Sequence, residues 1–226
     1  MKHAFILKNV GWDVDIILPE ISFNLFNFQG NNFNMIDLHD TIMVGQFDII
    51  VATLYTTLFT ILNYYKSKRH LYLVQSYETD FYTFGNYFRS IAERTYVTNY
   101  AIEYITVSQW CKNWLLEKYN KKARYAQNGI DLDKFVSHRR KLDEKKIRVL
   151  VEGDCSSHIK NVDESFRIIE KLDKNKFEVW YLSNNGEPKD WYRVDKFLKE
   201  IHHENVSHIY EECDILIKSS TLESFS

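Results

Sequence analysis

At 226 residues the chain has room for one large domain or two small ones. A hydrophobic share of 45% and a charged share of 27% are those of a globular protein and exclude a disordered chain. The formal net charge of −2 supplies no electrostatic footprint for nucleic acid. Three cysteines, Cys111, Cys155 and Cys213, are odd in number and widely spaced. They form neither a disulfide framework nor a metal-ligand pattern, which points to a reducing compartment and to small buried side chains. No stretch reaches the roughly 20 apolar residues of a membrane span, and the opening Met1-Lys-His-Ala-Phe lacks a signal-peptide cleavage pattern. A soluble, intracellular protein is the expectation.

Helical and extended patterns alternate along the chain. Residues 3–9 read as the tail of a helix, with Gly11 as its C-terminal stop. Residues 12–18 alternate and then turn wholly apolar, as a parallel strand does. Strands over 33–38 and 47–52, a helix over 54–65 and a strand over 70–75 follow. The apolar spacing predicts a helix over 87–98 and then a strand over 104–107. Ser108 is placed to cap a helix over 109–119. A short strand over 125–127 and an Asn128-Gly129 turn close this half.

Residues 131–146 are polar, rich in Lys and Arg, and lack apolar periodicity; they read as a solvated linker, with a membrane-surface or acceptor patch as the other reading. A second cycle begins with a strand over 147–152, a helix over 162–172 and a strand over 177–182. A helix over 190–200, a helical turn over 207–212 and a strand over 214–218 complete it. Strand–helix alternation at this spacing predicts an α/β protein of two Rossmann-like, doubly wound parallel-sheet domains, 1–140 and 141–226. The first lacks an opening strand and glycine turn, and the last strand runs straight into the end of the chain. Truncation of both domains is therefore expected.

The order of four motifs carries a resemblance. Val74-Gln-Ser-Tyr-Glu-Thr-Asp-Phe-Tyr82 leads into Ala92-Glu-Arg-Thr-Tyr96, and Ile105-Thr-Val-Ser108 leads into a helix. Gln127-Asn-Gly-Ile-Asp-Leu-Asp-Lys-Phe135 comes third. Cys213-Asp-Ile-Leu-Ile-Lys-Ser-Ser220 then precedes Glu223-Ser-Phe-Ser226, the opening of a Glu-x7-Glu motif. Over about residues 70–226 the chain resembles retaining glycosyltransferases of the two-Rossmann (GT-B) architecture, family 4, and within them the bacterial rhamnosyltransferase-type members.

The resemblance implies a transferase that moves a hexose or deoxyhexose, rhamnose among them, from a nucleotide-diphosphate sugar to a glycan or lipid-linked glycan acceptor. It implies neither a metal nor a cofactor. The protein would be cytoplasmic, at most peripheral to the inner face of a membrane. The leaving diphosphate needs cations and N–H donors where charge builds up as the glycosidic bond breaks. Lys160 stands where the family has such a cation, with Gly153, Asn161, His158 and the amides of Phe225 and Ser226 around the same donor. Glu223 would accept hydrogen bonds from the donor sugar and is the catalytic candidate. The family often carries an Arg shortly before the Lys; here Gly153 is followed by Asp154. In the first domain Glu78, Asp80 and Tyr82 lie on an aromatic turn suited to stacking on an acceptor sugar. His70, His138, His202, His203 and His208 lack metal-ligand spacing apart from the adjacent His202-His203 pair, whose side chains cannot share one helix face. Two other classes remain open: a non-catalytic binding module of the same fold, and a sugar-nucleotide epimerase, which would need a shielded acid/base set.

Overall fold

The computed structural model describes residues 2–18, 33–38, 46–136 and 146–224. Phe225, Ser226, His138 and the stretch 137–145 of the charged segment lie outside the described residues. The chain forms two compact units, Met1–Tyr125 and Ala126–Ser226. The division thus falls ahead of the charged segment in which the sequence reading set it. Among the described residues no helix is long and apolar enough to cross a membrane.

In the first unit α1 (Lys2–Asn9) ends at Gly11, whose φ of 95° is open to glycine alone at little cost. β1 (Asp15–Leu18) and β2 (Asn34–Asp37) form a parallel pair. A four-stranded parallel sheet follows in the order β3 (Phe47–Ala52), β4 (Ser67–Val74), β5 (Ile102–Thr106) and β6 (Ala123–Tyr125). Its crossovers are α2 (Tyr55–Tyr64), α3 (Tyr87–Val97) and α4 (Gln109–Tyr119). The cap expected of Ser108 is present, its hydroxyl accepting from the Cys111 amide at 3.1 Å. The Asn128-Gly129 segment forms no hydrogen-bonded turn. Alternate residues of the strands, Ile50, Ala52, Tyr72, Val74 and Tyr104, meet Leu58, Ile61, Tyr96 and Leu115 of the helices in one core. Ile17 of β1 packs against the same core.

In the second unit the order is β10 (Ile215–Ile217), β7 (Ile147–Glu152), β8 (Phe177–Ser183), β9 (Lys196–Lys199), all parallel. The chain winds outward from β7 to β9 and then returns through α6 (Val206–Glu212) to lay β10 on the other side of β7. Both faces are covered. α5 (Val162–Ile169) places Phe166 and Ile169 against Val149, Val151, Val179 and Tyr181. α6 places Ile209 against Leu150, Trp180, Leu182 and Leu198 on the opposite face. The unit is a doubly wound parallel sheet.

One predicted element is wrong. Residues 190–200 are not helical: Lys196–Lys199 pair in register with Trp180–Ser183 as an edge strand. The cause is non-local. The Asp195 amide donates to the Val179 carbonyl at 2.9 Å, while the Val179 amide donates to Asp195 Oδ2 at 2.8 Å. Tyr192, just before, stacks on Phe166 with ring centroids 3.9 Å apart. This anchors the segment to the sheet and the α5 face at once, against its helical periodicity.

Phe166 is fully buried between Tyr181 and Tyr192. Phe166→Ala should therefore lower the unfolding free energy of this unit by about 3–5 kcal/mol in urea titration, through lost burial and a cavity. A loss below about 1 kcal/mol would mean that the pocket collapses or that Phe166 is not at its centre.

Candidate functional site

A strand order that reverses at one strand leaves a crevice at the carboxyl ends of the two strands that diverge there, and α/β proteins bind ligands at that point. In the second unit those strands are β7 and β10. The described residues of the loops that follow β7 and β10 meet at this end of the sheet.

After β7 comes Gly153, at φ 141°. A Cβ there would stand 3.1 Å from Val162 Cγ2 and 3.4 Å from Lys160 Cβ, so a side chain would push the loop away from α5. Asp154 then turns the chain, its Oδ1 accepting from the Ser156 amide at 2.9 Å and the Ser156 hydroxyl at 2.7 Å. That carboxylate closes the loop from within. Gly186 of the β8–β9 loop lies against it; a Cβ there would stand 2.6 Å from Asp154 Oδ1 and 2.8 Å from Cys155 Sγ. His158 is exposed on the same loop. Asn161 precedes α5 in the left-handed conformation, φ 48°. Its side chain makes no capping bond to the helix and donates instead to the Ser219 carbonyl at 3.1 Å.

After β10 the chain folds back onto this loop. The Thr221 amide donates to the Ile159 carbonyl at 2.9 Å, and the Ser165 and Ser219 hydroxyls bond each other at 2.7 Å. Lys160 Nζ and Glu223 Oε1, far apart in sequence, thereby meet at 2.8 Å. Lys218, the residue after β10, extends its ammonium to 3.5 Å from the same Glu223 oxygen and 3.7 Å from Glu152 Oε1. Glu152 Oε2 in turn accepts from the Tyr210 hydroxyl. The four charged side chains are between 23% and 33% exposed, open to solvent yet shielded enough to act on one another. Burial alone would raise the Glu223 carboxyl. The Lys160 hydrogen bond and the charges of Lys218 and Lys160 outweigh it and hold the carboxyl below its ordinary value.

Lys160, Gly153, Asn161 and Glu223 thus lie together, with His158 on the rim of the same loop. Lys218, Glu152 and Tyr210 were missed. A lysine closing a strand reads as a solvated end; only its position next to the reversal gives it a second meaning.

The acceptor-side candidates belong to the first unit, on the 3-10 turn Glu78–Phe81 after β4. There the structure corrects the expectation for Glu78, which faces the core rather than a sugar. It is 1% exposed, and its Oε2 accepts from the Tyr55 amide and the Tyr72 hydroxyl, each at 2.7 Å. Its own amide donates to the Tyr96 hydroxyl at 3.4 Å. Asp80 pairs with Arg89 at 2.8 Å, and the Tyr82 and Tyr55 hydroxyls lie 2.7 Å apart. The aromatic side chains left on the surface of this turn and the start of α3 are Phe84, Tyr87 and Phe88. Arg89 lies over the Phe84 ring, 4.2 Å from its centroid.

No family model matches the chain, and no curated protein matches it. Among solved structures it is similar to S. aureus TarM, a point mutant of which was crystallised in complex with fondaparinux, α-GlcNAc-glycerol and UDP. The TM-score is 0.56 at 9% identity, over 78% of this chain and 37% of that one. The likeness is one of fold. The chain carries the Rossmann-like, parallel-sheet α/β architecture of the GT-B kind.

Burial raises the Glu78 carboxyl from 4.5 to about 7, against the two hydrogen bonds it accepts, which lower it. Between those values the folded protein holds a proton that the unfolded chain has released, so its stability must fall as pH rises from about 4.5 to about 7. Glu78→Gln keeps an acceptor for Tyr55 and Tyr72 and removes the titration. Its thermal midpoint should lose that slope across the window, and a slope equal to that of the wild type would show that another group is responsible.

Proposed function

We propose that the chain is a retaining glycosyltransferase of the GT-B family 4 type that transfers a sugar from a nucleotide-diphosphate donor to a glycan or lipid-linked glycan. The observation that carries this reading is the meeting of Lys160 and Glu223 at the sheet's reversal point, where open α/β sheets commonly bind ligands. The likeness to TarM, crystallised with UDP and glycan ligands, supports a nucleotide and a carbohydrate as the two partners. A deoxyhexose such as rhamnose is the donor sugar that the aromatic-turn motif favours. A cytoplasmic protein, at most peripheral to a membrane, agrees with such a donor.

In this reading Lys160 neutralises the diphosphate as it leaves, when its negative charge is greatest. Glu223 accepts hydrogen bonds from sugar hydroxyls and holds the ring over the breaking bond. The acceptor hydroxyl attacks from the face that the diphosphate vacates. The C–O bond to phosphate breaks, the new C–O bond forms, and a phosphate oxygen takes the acceptor's proton. Gly153 allows the Lys160 loop to close on α5, and Asn161 ties that loop to Ser219, so the two halves of the site are fixed before a ligand arrives.

A non-catalytic module has one observation in its favour: Asp154, a carboxylate spent on its own turn, stands where the family has a cation.

Calorimetric titration of the protein with a panel of uridine, guanosine and deoxythymidine diphosphate sugars tests the donor reading. One of them should bind, and Lys160→Ala should weaken it at least about tenfold, the scale of a lost charge-assisted contact. Binding of none, or unchanged affinity in the variant, would refute the donor site. Binding without release of nucleoside diphosphate in the presence of glycan acceptors would favour the non-catalytic module.

A further inference from the structure

The second lysine of the site carries an inference that rests on the donor-site reading and goes past it. Lys218 lies between two carboxylates, 3.5 Å from Glu223 Oε1 and 3.7 Å from Glu152 Oε1. Both are ion-pair distances, and both exceed the 2.7–3.2 Å range of an N–H···O hydrogen bond. Lys160 differs, closing a bond of 2.8 Å to Glu223. Two ammonium groups therefore converge on one carboxylate oxygen from two strands' ends, one bonded and one held near by charge alone. Two cations on one oxygen are the arrangement that a phosphate oxygen receives in an anion site. The loop after β7 brings Lys160 to it, with His158 exposed at the rim and Asp154 bonded within its own turn.

We propose that Lys218 is the second cation of this anion site, and that Glu223 is its resident counter-ion until a diphosphate enters. The ligand's oxygens take over both ammonium groups from Glu223. The carboxylate is thereby released to accept hydrogen bonds from the sugar, so that occupation of the phosphate site and readiness of the sugar site are coupled. Glu152 does not compete in the same way, since the Tyr210 hydroxyl already donates to its other oxygen. The positioning has a local cause. Lys218 follows the last residue of β10, whose pairing with Val149–Val151 of β7 sets where the strand ends.

Inorganic pyrophosphate is the probe, because it carries the diphosphate charge without base or sugar. Titrated by calorimetry into the full chain at fixed ionic strength and without divalent metal, it should bind the wild type. Lys218→Met, which keeps length and removes charge, should weaken it about tenfold, and Lys218→Arg should restore most of the loss. Glu223→Gln should bind pyrophosphate several-fold more tightly, because the competing anion is gone.

The proposal is overturned if the wild type binds no pyrophosphate at millimolar concentration, or if Lys218→Met binds it as the wild type does. It is equally overturned if Glu223→Gln weakens binding, and a circular-dichroism melt of each variant separates loss of site from loss of fold. The donor reading fails separately. Pyrophosphate binding that depends on Lys218, with no nucleotide sugar bound, would sink the donor and leave the cation pair. Nucleotide-sugar binding that depends on Lys160, with Lys218→Met unaltered, would do the reverse.

Discussion

The return of β10 to the free side of β7 is the constraint on which the second unit's candidate site rests. Three residues, Ile215–Ile217, pair with Val149–Val151, and so short a strand needs its register fixed from outside the ladder. Asp214 does this at the strand's start. Its amide donates to the Arg148 carbonyl at 2.9 Å, while its Oδ2 accepts from the Arg148 amide at 2.8 Å. Asp195 repeats the arrangement one step before β9, on Val179 of β8. A short Asp side chain that accepts an amide near the start of the neighbouring strand, while its own amide enters the ladder, clamps a parallel strand in one register. A slip by one residue at β10 would turn Lys218 to the other face and separate it from Glu223.

That clamp also explains part of the resemblance in the sequence. The Asp of Cys213-Asp214 belongs to a motif ascribed to sugar transfer, yet its contacts here are structural. It fixes the strand and so places the residues that follow, Lys218 among them.

The buried strands were the most legible elements, because runs such as residues 47–52 and 147–152 admit few alternatives at that length. The segment 190–200 was not legible. Its edge strand is exposed at both lysines, so the sequence shows a polar periodicity, while the deciding bonds come from Val179 and Phe166 far away in the chain. The aromatic turn after β4 misled for a related reason. Tyrosines on such a turn suit a sugar, but they suit a core equally if their hydroxyls find partners. Tyr72, Tyr96 and Tyr104 are buried together, and Glu78 is the acceptor that satisfies Tyr72 inside. A carboxylate following a run of buried aromatics is thus ambiguous in sequence and settled only by where the tyrosine hydroxyls point. The pairing of Lys160 with Glu223 was within reach because the resemblance gives both a role; Lys218 lies inside a motif that gives it none.

Stability gives little account of the charges gathered at the β7–β10 end. Ion pairs that remain a quarter to a third exposed contribute about 0–1 kcal/mol each, after side-chain ordering and screening. Against this stands the partial desolvation of four charged groups within one crevice, and the left-handed Asn161 adds backbone strain. Elsewhere in the unit comparable pairs are plainly structural. Arg148 bridges Glu178 and Glu212 while lying over Trp180, and Lys189 with Tyr192 closes on Asp163, each fastening one element to another. At the reversal point that fastening is already done by neutral groups, through Thr221 with Ile159, Asn161 with Ser219 and Ser165 with Ser219. The lysines and carboxylates there are superfluous to the closure that neutral hydrogen bonds provide. Charge kept where it is not needed for folding, at a sheet's reversal point, is what singles this cluster out as the candidate site.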